Sequence, residues 1–149
     1  MEPISKNRVG VVPATRLPRA EWGLMRILVV DDDRSLRGGF GVLLREEGFQ
    51  ATCVADGQDA LVALRSEPKP CLILLDLRMP FVDGMSFRRR QLEDPEIAGV
   101  PVVVVSARRR EEEEAERLGI SEFIGKPIAF AELLRVVARH CARPHRHEA

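Results

Sequence analysis

Five short runs of consecutive apolar residues punctuate the chain: Ile27 to Val30, Ala51 to Val54, Leu72 to Leu75, Val102 to Val105 and Phe123 to Ile124. Each is rich in β-branched or leucine residues, bounded by turn residues and too short for a helix, so each predicts a strand. Strands without a polar face belong in a parallel sheet covered on both sides. Between the runs, apolar residues recur at helical spacing: Leu36, Phe40, Leu43 and Leu44; Ala60, Leu61 and Leu64; Met85, Phe87 and Leu92; Ala115 and Leu118; and Phe130, Leu133, Leu134, Val137 and Cys141. The last series, with steps of three and four, is the clearest amphipathic stripe. Five strand-helix units in succession predict one doubly wound α/β domain, a five-stranded parallel sheet with five helices. Residues 1–24 hold three prolines and two glycines with no sustained period, which predicts a flexible extension, with Met25 as an alternative start. The folded unit is expected over 25–142 and a disordered tail over 143–149.

Composition narrows the class without naming a function. The 149 residues are 45% hydrophobic and 31% charged, the balance of a globular chain rather than a disordered or fibrous one. Basic and acidic residues number 23 each, so no global field recruits nucleic acid or an anionic membrane. Only Lys6, Lys69 and Lys126 are lysines, which singles out Lys126 near the end of the last strand. Cys53, Cys71 and Cys141 are odd in number, with no CxxC and no histidine at zinc spacing, so neither a disulfide framework nor a metal knuckle is expected. That points to a reducing, cytoplasmic setting. The longest apolar runs fall far below the roughly 20 residues that span a bilayer, and the first 24 residues lack a signal-peptide core.

In an open parallel sheet, ligands gather at the carboxyl ends of the strands. The first strand run ends in Asp31-Asp32-Asp33, the third in Asp76 and the fourth in Ser106, and the fifth is followed by Gly125-Lys126-Pro127. Carboxylates brought together repel unless a cation sits among them, and hard oxygen ligands with room for water describe a Mg²⁺ site. A carboxylate beside such an ion can attack phosphorus and form an acyl phosphate. The hydroxyl of Ser106 and the ammonium of Lys126 would then receive the phosphoryl oxygens. Taken alone, each residue also has a plain structural reading. Asp31 to Asp33 could cap a helix, with Asp33 the best placed and therefore left out of the metal set. Ser106 could cap the fourth helix, and Phe123 could be a core aromatic.

The segments Val29-Val30-Asp31-Asp32, Leu74-Leu75-Asp76-Leu77-Arg78-Met79-Pro80, Asp83-Gly84, Ser106-Ala107 and Phe123-Ile124-Gly125-Lys126-Pro127 together resemble the response-regulator receiver domain of two-component signalling. The resemblance covers about residues 25–142. It implies the strand order 2-1-3-4-5 and a phosphoacceptor at Asp76, charged from a sensor histidine kinase or phosphotransfer protein. It implies Mg²⁺ held by Asp31, Asp32, Asp76 and the backbone carbonyl of Arg78. It implies a switch in which Ser106 turns toward the phosphoryl group while Phe123 swings inward. Lys126 would pair with the phosphoryl oxygen, small Ala107 would leave room for the donor, and the bond to Pro127 is expected to be cis. The chain has no Tyr, so the aromatic switch lacks a phenolic hydroxyl.

Some features depart from the family pattern. The interval from Ser106 to Gly119 is shorter than usual by about half a helical turn, which reshapes the fourth loop or helix. Gly38, Gly39 and Gly41 fall in the first helix, each costing about 1 kcal/mol relative to alanine, so that helix is expected to be weak and to order on kinase binding. The run Arg108 to Glu114 reads as a solvated helix start with Glu113 placed to pair with Arg117, or as part of a docking face. Arg78 and Arg108 flank the expected phosphoryl site, which predicts slow autodephosphorylation.

The expectation is a stand-alone switch rather than an enzyme, a monomer or weak dimer that presents its fourth-helix and fifth-strand face to a protein target in trans. Direct nucleic-acid or membrane binding is not expected. Two rivals stand beside it. A degenerate receiver would act as a phosphorylation-independent adaptor. An aspartate-nucleophile phosphohydrolase would need an acid two positions after Asp76, where the sequence has Arg78.

Overall fold

A computed structural model describes residues 25–76, 81–107 and 109–141, with side chains at 34–38 and 81–83 left aside. The expectations for residues 1–24 and 143–149 and for the Arg78 carbonyl and Arg108 lie outside the described residues.

All five strand runs form strands: β1 (Arg26–Val30), β2 (Gln50–Val54), β3 (Leu72–Asp76), β4 (Val102–Ser106) and β5 (Phe123–Gly125). They pair in parallel in the order β2-β1-β3-β4-β5. The helices are α1 (Arg34–Glu46), α2 (Gly57–Arg65), α3 (Phe81–Glu93), α4 (Arg109–Glu116) and α5 (Phe130–His140). The fold is therefore the doubly wound, flavodoxin-like sheet expected from the sequence. β3 and β4 each run one residue further than their apolar runs, so Asp76 and Ser106 are the last residues of strands.

Because side chains alternate across a strand, each strand feeds two cores. Ile27, Val29, Leu72, Leu74, Val103 and Val105 pack with Phe40 and Leu44 of α1 and Leu133, Val136 and Val137 of α5. Leu28, Val30, Ile73, Leu75, Val102 and Val104 pack on the other face with Ala60, Leu61 and Leu64 of α2, Phe87 of α3 and Ala115 of α4. The central strands β1, β3 and β4 are buried along their whole length, while edge strand β2 is half-buried throughout. Gly48 (φ 93°) and Gly119 (φ 81°) end α1 and α4 in the left-handed conformation. In each case the following residue donates its N–H back into the last turn, Phe49 to Leu44 and Ile120 to Ala115.

Polar groups inside the fold are tied to backbone. The buried Arg26 donates from Nε to Thr52 Oγ1 at 3.2 Å, from Nη2 to the Ala63 carbonyl at 3.0 Å, and from Nη1 to the Pro68 carbonyl. Gln91, fully buried, donates to the carbonyls of Ile97 (3.0 Å) and Val100 (2.9 Å) and accepts from Arg88 Nη1 (2.7 Å). Arg88 Nε in turn donates to the Leu118 carbonyl at 3.0 Å, beyond the end of α4.

Two expectations need correction. Cys71 and Cys141 form a disulfide, with Cα atoms 5.3 Å apart across a separation of 70 residues. The first precedes β3 and the second caps α5, so only the folded chain brings them together, and sequence spacing carried no sign of it. Cys53 is the remaining thiol, and the case for a reducing compartment loses its support from unpaired cysteines. Just past the end of α4, Arg117 Nη1 pairs with Glu114 at 2.8 Å, three residues back, rather than with Glu113. Both spacings lie on one helix face, and the shorter one is used.

α1 is a continuous helix through its glycines. A Cβ at Gly41 would lie 3.3 Å from Cys53 Sγ and 2.9 Å from Arg45 Nη1, so this glycine lets α1 approach β2 closely. A Cβ at Gly39 would meet nothing within 4 Å.

Three outcomes follow from these features. Denatured without reductant, the protein should titrate one thiol per chain with a colorimetric thiol reagent, and three after reduction. Cys141→Ser should lower unfolding stability by about 2–4 kcal/mol, because the bridge closes a long loop in the unfolded state. Gly39→Ala should raise stability by about 0.5–1 kcal/mol in urea titrations, from helix propensity and reduced unfolded-state freedom.

Candidate phosphoryl-acceptor site

The sheet order places β3 in the centre, with β1 and β4 on its two sides. Val30 pairs with Leu75, so Asp31, the next residue, stands level with Asp76. Asp76 pairs with Val105, so Ser106 stands one step beyond it on the neighbouring strand. The Lys126 N–H donates to the Ser106 carbonyl at 3.0 Å, which carries the loop after β5 to the same end of the sheet. Four strand ends thereby deliver two carboxyl groups, a hydroxyl and an ammonium to one edge.

Asp31 is 0% exposed, Asp76 1% and Ser106 2%. Lys126 Nζ donates to Asp76 Oδ1 at 2.9 Å. The Asp33 N–H donates to Asp31 Oδ1 at 2.9 Å, an Asx turn that leads the chain into α1. Burial pushes the Asp31 carboxyl up to about 7, and the neighbouring Asp76, by charge and by a side-chain hydrogen bond, pushes the same way. The Asp33 N–H and the charge of Lys126 oppose this. The site thus contains more acidic charge than its single ammonium can balance.

Asp32 is exposed at the turn after Asp31, and Asp33 immediately precedes α1. Ala107 is exposed beyond the end of β4. Phe123 is half-buried at the start of β5, packed against the core that α2, α3 and α4 share. The Lys126-Pro127 bond is cis, and Pro127 is exposed. Among the described residues no three His, Cys, Asp or Glu side chains cluster as a metal site. Asp31 and Asp76 nevertheless form the kind of donor pair that suits Mg²⁺, an ion that commonly takes one or two carboxylates and keeps several waters.

One partner of the site is not legible in the sequence. Ser106 Oγ donates to Glu112 Oε2 of α4 at 2.8 Å. The two residues are six apart across a strand end and a helix start, a spacing that no single element's period would reveal. Beside Lys126 lies an apolar groove of about 370 Å³, lined by Phe40 and Leu43 of α1, Pro127, Ile128 and Phe130.

Comparison with known proteins places the fold in a family. Residues 27–138 match the family model described as the response regulator receiver domain. The chain is 40% identical over 125 residues to the DNA-binding response regulator MtrA of Mycolicibacterium smegmatis, a match covering 83% of this chain and 52% of MtrA. It thus spans about half the length of that relative. Its fold superposes on the receiver domain of a response regulator from Bermanella marisrubri with a TM-score of 0.70 at 27% identity, covering 78% of this chain and 97% of the other. It also superposes on the Saccharomyces cerevisiae Ssk1 receiver domain, solved with the histidine phosphotransfer protein Ypd1, with a TM-score of 0.69 at 19% identity over 78% of this chain and 88% of that one. The last likeness speaks to fold alone.

The Asp31 carboxyl sets a pH dependence for the metal-free chain. Its folded value of about 7 lies above the ordinary 3.8, so the folded state retains a proton that the unfolded chain has released, and stability falls as pH rises from about 4 through 7. Asp31→Asn should therefore stabilise the metal-free protein at pH 8, by on the order of 2–4 kcal/mol. The gain should shrink toward pH 5, as read by denaturant titration in the presence of a chelator.

Proposed function

The chain belongs to the response-regulator receiver family, and from that premise we propose that it is a phosphorylation switch whose acceptor is Asp76. The observation that carries the reading is the buried Asp76 carboxylate, held 2.9 Å from the Lys126 ammonium with the Asp31 carboxyl beside it. A nucleophile so placed is weakly hydrated and has a cation ready for the oxygens of an incoming phosphoryl group.

In the transfer, an Asp76 oxygen forms a bond to the phosphorus of a phosphohistidine on the donor. The P–N bond breaks, its electron pair remains on the donor imidazole, and Asp76 becomes an acyl phosphate. Lys126 exchanges its contact with the Asp76 carboxylate for one with the phosphoryl oxygens. Asp31, Asp32 and Asp76 are the side chains that would hold Mg²⁺, and the bound ion supplies further charge neutralisation to the phosphoryl group. Ser106 is the neighbouring hydroxyl available to a phosphoryl oxygen, and Phe123 on the adjacent strand is the aromatic that responds to its movement. Ala107, with only a methyl side chain, leaves the approach to Asp76 open.

The donor is a sensor histidine kinase or phosphotransfer protein, and the apolar groove between α1 and the loop bearing Lys126 is the surface we assign to it. The output is a change in the face formed by α4 and β5. The DNA binding named for MtrA is not carried over to this chain.

The test is the intact mass of the purified chain after incubation with a small-molecule acyl phosphate such as acetyl phosphate. We expect a gain of one phosphoryl group that requires Mg²⁺ and is abolished, at least tenfold, by Asp76→Asn. Absence of any gain in a folded chain would overturn the switch and favour a phosphorylation-independent adaptor.

A further inference from the structure

We propose that Glu112 is a positioning residue for the Ser106 hydroxyl, a latch that holds it toward α4 until a phosphoryl group on Asp76 claims it. The proposal rests on the phosphoacceptor reading above and adds to it a residue of the charged run on α4.

The geometry is specific. Ser106 Oγ, on a residue that is 2% exposed, donates at 2.8 Å to Oε2 of the half-buried Glu112, so water competes poorly for the hydroxyl. A serine hydroxyl carries one proton and donates to one acceptor at a time. It can serve Glu112 or a phosphoryl oxygen at Asp76, but not both. The Ser106 backbone is fixed by its place in β4 and by the Lys126 N–H on its carbonyl at 3.0 Å. The exchange is therefore a rotation about one side-chain bond.

α4 is built to respond to that exchange. Of its eight residues one, Ala115, is buried. Its far end is held by Arg88, whose Nε donates to the Leu118 carbonyl at 3.0 Å and which is itself braced by the buried Gln91. Its near end is tied to the sheet through Glu112 and Ser106. Losing the near tie while the far one remains lets the front of α4 lift about its C-terminal end. The shortness of α4 strengthens the effect, because a helix with one buried residue has little apolar contact to resist it.

Two readouts test the latch. The first is amide hydrogen exchange across 109–114 in the unphosphorylated chain. Glu112→Ala and Ser106→Ala should each raise exchange several-fold, and the double variant should raise it no further. Glu112→Gln, which retains an acceptor oxygen, should stay near the parent. Alanine favours a helix, so faster exchange in Glu112→Ala cannot be charged to propensity. The second readout is affinity for beryllium trifluoride, a tetrahedral phosphoryl analogue, in the presence of Mg²⁺. Glu112→Ala should tighten binding about tenfold, as expected from a lost charge-assisted hydrogen bond, and only while Ser106 is present.

Unchanged exchange in Glu112→Ala would overturn the latch. So would an affinity gain of equal size in the Ser106→Ala background, which would mark Glu112 as merely structural. If the analogue binds in an Asp76-dependent way but Glu112→Ala leaves its affinity unaltered, the latch fails and the phosphoacceptor reading stands. If no form of the chain binds it, the phosphoacceptor reading fails and takes the release step with it.

Discussion

The register that pairs Val30 with Leu75 sets Asp31 level with Asp76, and both residues are buried. Two acids in that position cannot both ionise without compensation. Lys126 reaches Asp76 and balances one of them, while burial raises the Asp31 carboxyl to about 7. Every way of relieving the remaining tension is chemical: a proton, a hard cation, or conversion of one carboxylate to an acyl phosphate with its own counter-charges. The site is thus the least comfortable part of a fold whose two apolar cores are otherwise continuous. It can be kept because the strands that carry it are anchored by apolar side chains on both faces.

Much of this was legible in the sequence, because strands buried on both faces leave an unmistakable mark. The runs at Ile27, Leu72 and Val102 read as strands of a covered parallel sheet, and they form β1, β3 and β4, whose central places followed from the family resemblance. Acidic residues directly after two such runs, a hydroxyl after a third and a lysine after a fourth short run pointed to one end of the sheet, where the structure brings Asp31, Asp76, Ser106 and Lys126 together. Features that depend on the meeting of distant surfaces were not legible. Cys71 and Cys141 are joined only because the start of β3 lies under the end of α5. Glu112 looked like one more solvated glutamate in an acidic run, and the hydroxyl it accepts from belongs to a different element. Arg26, a charged residue at the start of β1, is buried and tied to carbonyls of two separate segments. Periodicity reports which face of an element is buried and says nothing about which polar group waits there.

The two faces of the sheet are held by different means, and that difference bears on where the proposed change at Asp76 would be expressed. On one face, α5 buries Leu133, Val136 and Val137, roughly 5–9 kcal/mol of apolar burial. It is further fastened at its end by the Cys71–Cys141 bridge, and Glu122 before β5 receives both Arg139 and His140. On the other face, α4 buries one alanine, about 0.8 kcal/mol for its methyl group, and depends on polar ties at its two ends. A rearrangement of a single hydroxyl is too small to displace α5, whose contacts exceed it several-fold. It is of the same size as what holds the front of α4. On the phosphoacceptor reading proposed above, a local change of charge at the sheet edge would be expressed at α4, whose attachment is of that size, while the more firmly held α5 would stay in place.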